Sequence, residues 1–313
     1  MISSFKKVVR TGQVLFLSVM LGHQAQAQFE PQFTQYMFNE MFINPAYAGS
    51  REHMSMTLLY RNQWVGLEGA PTTQTFTAHT PLRNDRMGIG LSIMNEEIGV
   101  TRDLSFYGNY AYRMPTSFGF VSLGLSAGLI NHTERLSDLN IREQGDESFI
   151  GTPRVTVPNA GFGTFVQGRN FYAGVSIPRM IKNTVDAGAS KSDNKIEMQS
   201  WHYYITGGYV QPLNETIKMK ATSMVKAVSG APLIGEFGLH ALFHETFWIG
   251  AAYRTGDAWA AIAQFQINNQ LRMGYSYDFT TTELRNHSSG THEITLGYDF
   301  SFNKKKVVTP RYF

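Results

Sequence analysis

The feature that most constrains this chain is an alternation of period two that recurs along most of its length. In residues 86–95, Met87, Ile89, Leu91 and Ile93 share one side, with Gly88, Gly90 and Ser92 on the other. Leu104, Phe106, Tyr110 and Tyr112 oppose Ser105, Asn109 and Arg113. Val121, Leu123, Leu125 and Leu129 oppose Ser122, Gly124, Ser126 and Gly128. Successive side chains of a strand point to opposite faces, so one face meets an apolar medium and the other a polar one. About fourteen such segments occur, near residues 52–60, 71–80, 86–95, 102–113, 118–130, 159–167, 170–177, 201–211, 215–228, 233–243, 246–254, 258–268, 270–279 and 291–302. Most have the roughly 9–11 residues of a tilted membrane-spanning strand. An even number suits a closed antiparallel barrel.

The joints support the same reading. Residues 81–85, 115–117, 168–169, 212–215, 244–245 and 268–269 are short turns. Between them lie mostly longer connections at 62–70, 96–101, 131–158, 178–200, 255–257 and 280–290. Short periplasmic turns and longer outer loops alternate in this way in outer-membrane barrels. A soluble β-sandwich also alternates, but it would place polar side chains on the outward face of every strand. Here the second face is largely Gly, Ser, Ala, Thr and Asn, joined in the later strands by Lys218, Lys220, Lys226, Glu236, His240, Arg272 and Asp278. In a barrel these charges would either pair across strands and fill the interior or line an anion-attracting pore. The fold class expected is therefore all-β, a transmembrane antiparallel β-barrel of about fourteen strands.

Residues 1–27 read as a secretory signal peptide, with Lys6, Lys7 and Arg10 ahead of an apolar run and Ala25-Gln26-Ala27 as the cleavage site. The apolar run is far shorter than the roughly 20 residues of a spanning helix. With no cysteine to acylate, a lipoprotein is excluded. Three of the 27 basic residues and none of the 24 acidic ones lie in this segment. The remainder is charge-balanced, so nucleic-acid binding has no compositional support. Aromatics at 13% beside charges at only 16% depart from a soluble enzyme. No nucleophile elbow, phosphate loop or zincin motif is present. His240 and His244 would lie on one strand face about 13 Å apart, too far to share a metal. No catalytic, cofactor or metal residue is assigned.

One stretch stands apart from the strand rhythm. Residues 32–39 read Gln-Phe-Thr-Gln-Tyr-Met-Phe-Asn, and residues 42–50 read Phe-Ile-Asn-Pro-Ala-Tyr-Ala-Gly-Ser. Tyr60-Arg61-Asn62-Gln63-Trp64 and Ala70-Pro71-Thr72-Thr73-Gln74 follow. Six aromatics, Phe29, Phe33, Tyr36, Phe38, Phe42 and Tyr47, precede the first strand and need cover. They can pack inside the barrel as a plug, or lie under its periplasmic rim against a partner.

The order of these blocks resembles the amino-terminal signature of the PorP/SprF family, outer-membrane proteins of the type IX secretion system in Bacteroidetes. The matching positions are Gln35, Tyr36, Asn39, Asn44, Pro45, Ala46, Tyr47, Gly49, Arg61, Asn62, Gln63 and Trp64. Glu40-Met41 departs from the more apolar or proline-containing pair expected after Asn39. The resemblance implies a cell outer-membrane protein acting in type IX secretion and gliding motility by protein–protein interaction. Its partners would be periplasmic ring or peptidoglycan-binding subunits, or a large secreted adhesin. It implies no catalytic residue and no cofactor. The domains expected are a signal peptide (1–27), a signature segment (28–50), the barrel (51–302) and a periplasmic tail (303–313). Lys304, Lys305, Lys306, Arg311, Tyr312 and Phe313 in that tail are the candidate docking residues, together with the aromatic segment. The alternative reading is a porin or fatty-acid-type transporter whose amino-terminal segment is a hatch.

Overall fold

A computed structural model describes residues 31–51, 53–83, 85–138, 151–185, 192–198 and 201–300. The expected signal peptide and the carboxy-terminal tail lie outside the described residues. The strands are β1 (Met54–Asn62), β2 (Thr72–Pro81), β3 (Met87–Ile98), β4 (Thr101–Thr116), β5 (Gly119–Glu134), β6 (Arg154–Gly168), β7 (Phe171–Ile177), β8 (Ile181–Val185), β9 (Ser192–Ile196), β10 (Tyr203–Pro212), β11 (Ile217–Ala227), β12 (Ile234–Phe243), β13 (Phe247–Arg254), β14 (Ala258–Gln266), β15 (Leu271–Thr280) and β16 (Thr291–Phe300). Fourteen of these described strands form a closed antiparallel barrel, and β8 pairs with β9 in a separate hairpin. The seam joins β1 to β16 over nine residue pairs, from Met54 opposite Phe300 to Asn62 opposite His292. With that ladder complete, no strand edge is left for hydrocarbon to meet.

Side-chain parity holds around the whole ring. Ser55, Thr57, Leu59 and Arg61 of β1 are buried toward the lumen, and Leu58 and Tyr60 between them are exposed. Leu123, Leu125 and Leu129 of β5 face outward, 43–59% exposed, against buried Ser122 and Ser126. That outward apolar surface would be intolerable in water over so large an area, and in a bilayer it is the contact face. The described helices include none long and apolar enough to cross a membrane. Tyr253, Trp259 and Phe279 sit outward in register on β13, β14 and β15. Amphipathic rings of this kind favour the level of the lipid headgroups.

Two connections differ from the expectation. Residues 96–101 were expected as a loop, but β3 and β4 stay paired until Ile98 meets Thr101, so the joint is two residues. β4, β5 and β6 reach 15–16 residues, beyond the apolar alternation that marked them in the sequence. Their last rows are polar on the outside, Arg102 opposite Thr133 and Thr133 opposite Arg154, because this part of the wall stands clear of hydrocarbon. The expected loop at 178–200 contains the β8–β9 hairpin. The barrel thus has a turn end, where every joint is short, and a loop end, which carries the long connections beside the two short joints after β3 and β13. The loop end is the extracellular one by the rule for outer-membrane barrels.

Replacement of Leu123 by Arg aims a charge at hydrocarbon and is expected to cost about 2–4 kcal/mol of barrel stability, whereas Leu123→Phe is expected to be near neutral. Urea unfolding in lipid vesicles, followed by heat-modifiable gel mobility, measures both.

A plug in the barrel lumen as candidate functional site

Fourteen strands enclose a lumen wider than wall side chains alone can fill, since about eight strands already suffice for that. Residues 31–50 occupy it. Short turns dominate: a 3-10 turn Tyr36–Phe38, a helical turn Glu40–Ile43 and a second 3-10 turn Pro45–Tyr47. Asn44 shapes the last of these. It is extended (φ −131°, ψ 110°), as a residue before proline prefers, and its side-chain oxygen accepts from the Ala46 amide at 3.0 Å. Gly49, at φ +72°, turns the chain toward β1, a conformation that favours glycine.

The plug is tied to the wall along its whole length. At the loop end the Thr34 and Gln35 amides donate to the Glu293 carboxylate at 3.0 and 2.7 Å. The Gln35 side chain donates to the Glu293 carbonyl and accepts from Thr295. In mid-barrel Asn39 donates to Thr75 and accepts from Thr77 on β2. Asn44 donates to the Thr164 carbonyl on β6, and Ser176 of β7 donates to the Ile43 carbonyl, both at 2.9 Å. Toward the turn end the Gly49 amide donates to His79 on β2 at 3.1 Å, and Tyr47 packs edge-on against His79 and Phe165. A wall glycine admits the plug at its tightest point. A Cβ on Gly124 of β5 would collide with the backbone of Pro45 and Ala46, so only glycine fits there.

Thr34 is the centre of a buried ion cluster. Its hydroxyl donates to Asp278 at 2.8 Å and accepts from Arg61 and Arg254, each at 3.0 Å. Arg61 bridges Asp278 at 3.0 Å and Glu293 at 3.1 Å, while Arg254 bridges Glu236 at 2.7 Å and Asp278 at 3.3 Å. A second cluster closes the turn end, with Arg272 and Arg51 on Asp299 at 2.8 and 3.4 Å. Between them Lys220 of β11 points among the rings of Phe38, Tyr172 and Trp248, 5.4–5.8 Å from their centroids. Ring faces attract a cation placed at such distances. A cavity beside the plug, lined in part by Phe33, Met41 and Phe42, measures about 50 Å³. That is room for a few waters and not for a ligand of ordinary size.

The residues singled out in the sequence therefore fall into distinct places. Gln35, Tyr36, Asn39, Asn44, Pro45, Tyr47, Gly49 and Arg61 meet at the interface of plug and wall, all but Gly49 among the buried side chains or turn residues just described. Asn62, Gln63 and Trp64 lie apart at the loop end: Asn62 closes β1 opposite His292, the Gln63 amide bonds the Pro71 carbonyl, and the Trp64 amide bonds Thr291. Of the two covers expected for the aromatics, the structure has the plug: Phe33, Tyr36 and Tyr47 are buried in the barrel. They are thus not surface available to a partner, and the first described contacts of the segment, at Thr34 and Gln35, lie at the loop end and not at the periplasmic rim, while Phe29 falls outside the described residues. Lys220, Lys226, Glu236, His240, Arg272 and Asp278 are buried inward and fill the lumen, and Lys218 pairs with Glu245. His244 lies in the turn after β12, not on the strand with His240. Lys304, Lys305, Lys306, Arg311, Tyr312 and Phe313 lie outside the described residues. Thr34, Arg254, Glu293 and Asp299 were not singled out. Glu293 and Asp299 carry a signal, since each is a carboxylate at an inward position of an otherwise apolar-outward strand.

Comparison with known proteins decides the affiliation. The family model described as type IX secretion system membrane protein PorP/SprF matches residues 25–298. The chain belongs to that family. As a PorP/SprF member it is a membrane component of type IX secretion, and its barrel places it in the outer membrane. Among solved structures, the CymD monoaromatic hydrocarbon channel aligns with a TM-score of 0.52 at 11% identity, over 85% of this chain and 93% of CymD. A Pseudomonas aeruginosa FadL homologue gives 0.48 at 12% identity, over 88% of this chain and 96% of its own. The Acinetobacter baumannii outer membrane protein Omp33 gives 0.44 at 11% identity, over 80% and 98%. At such identities the likeness speaks for the barrel fold alone. No curated protein matches the chain.

Two substitutions separate the plug from the wall. Arg61→Met leaves buried Asp278 and Glu293 short of a counter-charge and is expected to cost about 3–5 kcal/mol, read as a lowered urea midpoint. Gly124→Leu pushes the plug away from β5 without touching the ladder. It is expected to keep a heat-modifiable barrel while exposing residues 31–50 to protease, with Gly108→Ala, on the outward face, as the silent control.

Proposed function

We propose that this protein serves type IX secretion as a sealed barrel, acting by protein–protein contact and not by passing solute. The observation that carries this reading is the plug. Residues 31–50 cross the lumen bonded to β2, β6, β7, β15 and β16. A conduit would need the plug to leave, which would break its hydrogen bonds to Glu293, Asp278, Thr75, Thr77, Thr164 and Ser176 along the whole lumen. Membership of a secretion-system family, with no nucleophile elbow or zincin motif in the sequence, supports a non-enzymatic role.

The partners in this reading are periplasmic subunits of the secretion machine, with a secreted adhesin as client. Because the plug aromatics are spent inside the barrel, the docking surface at the periplasmic side falls to the tail: Lys304, Lys305, Lys306, Arg311, Tyr312 and Phe313. The other reading, a porin or fatty-acid-type transporter whose amino-terminal segment is a hatch, rests on the barrel architecture shared with CymD.

Liposome swelling with the purified protein distinguishes the two. No swelling above empty liposomes is expected with sugars or amino acids, and Gly124→Leu is expected to swell. Swelling by the unaltered protein would overturn the sealed-barrel reading. Deleting residues 304–313 is expected to leave the barrel in the outer membrane while a periplasmic secretion subunit no longer co-purifies. Unchanged co-purification, or a truncated chain that never reaches the membrane, would remove the tail from the docking role.

A further inference from the structure

The wall built by β3 to β6 changes character abruptly on its outer face. Reading across the register, Phe76, Ile93, Phe106 and Leu129 form one outward row. The next row toward the loops is Gln74, Asn95, Leu104 and Asn131, and the one after it is Thr72, Glu97, Arg102, Thr133 and Arg154. Two residues along a strand are about 7 Å, so hydrocarbon contact gives way to a charged surface within that rise. That step is the depth of the lipid headgroups at the extracellular end.

A groove of about 390 Å³ opens at this level, with Arg102, Arg135 and Arg154 around it and Leu104 in its lining. Thr133, Ser137 and Thr152 add hydroxyls to the same lining. Glu97 is the carboxylate that meets these arginines, reaching Arg102 at 3.4 Å and Arg135 at 3.8 Å. Arg102 also donates to Asn95 at 2.6 Å, which fixes its direction. No ion pair of Arg154 occurs among the described residues. Asp103 and Glu134 turn the opposite way, and both bond His132, at 2.6 and 3.4 Å. Among the described residues around the groove, three guanidinium groups thus stand beside one carboxylate, Glu97. Planar guanidinium groups beside hydroxyl donors match the oxygens of a phosphate monoester better than any neutral headgroup.

We infer that this groove binds the phosphorylated sugar headgroup of an outer-leaflet glycolipid, seated with its acyl chains on the Phe106–Leu129 row. The site is independent of the plug and of any secretion partner. It would fix the depth of the tall side of the barrel in the leaflet and give the protein an annulus of anionic lipid there.

The test uses the full mature chain in nanodiscs containing either diphosphorylated lipid A or its dephosphorylated form, with retained lipid counted by native mass spectrometry after detergent extraction. The unaltered protein is expected to retain the phosphorylated form on the order of tenfold better, about the effect of one strong charge-assisted contact. The triple variant Arg102→Gln, Arg135→Gln, Arg154→Gln is expected to lose that preference. Arg154→Gln alone, which breaks no ion pair among the described residues and so serves should the triple variant fail to fold, is expected to weaken it several-fold. Equal retention of the two lipids by the unaltered protein, or an unchanged preference in both variants, would overturn the inference. So would release of the bound lipid by millimolar inorganic phosphate, since a site that reads phosphate alone has no claim to the lipid.

Discussion

Everything in this structure follows from the demand that backbone amides and carbonyls find partners where no water can serve them. The β1–β16 ladder meets that demand by closing the ring. Closure at fourteen strands then creates a second problem, an interior too wide for its own side chains and too narrow to need being a pore. The plug answers the second problem with backbone, not bulk. Its peptide groups bond to wall carboxylates, amides and hydroxyls, and inward glycines on the wall make room for its main chain.

The interior is charged, and the arrangement explains why that is tolerable. Arg61 touches two carboxylates and Arg254 three, and Asp278 and Glu293 each receive further donors from the plug. A buried ion pair gains little over an apolar pair of the same shape, but removing one member is severe. Such clusters therefore contribute specificity more than stability. They recognise one chain segment in one register, because Thr34 alone sits where two guanidinium groups and a carboxylate converge.

Much of the barrel was legible in the sequence, since each spanning strand must show lipid an unbroken apolar face at every second residue. All fourteen barrel strands were visible for that reason, and the inward charges from Lys220 to Asp278 were visible by parity. The failures share a cause. Where β4, β5 and β6 rise above the bilayer, Arg102, Asn131, Thr133 and Arg154 replace the apolar face, and the alternation that betrays a strand disappears. The β8–β9 hairpin, five residues a side, stands outside the barrel sheet and left no such trace. For the plug, Phe33, Tyr36 and Tyr47 announced that cover was needed, but the covering partners lie more than two hundred residues away in the case of Gln35 and Glu293. Nothing local could choose between the inside of the barrel and its rim.

The direction in which the plug runs bears on how such a molecule is made. Its first described residues lie at the loop end and its last at the turn end, so the segment traverses the whole barrel before β1 begins. Its anchors Asp278, Glu293 and Thr295 belong to the last two strands synthesised. The segment emerges first and its seat is completed last. A chain threaded through a ring that has already shut would have to pull polar peptide groups through the lumen. The strand that closes the seam with β1 is the one that carries Glu293 and Thr295, so the seat of the plug is complete only where the ring is. Terminal residues that reach for one another across the sequence thereby make ring closure and lumen sealing a single event.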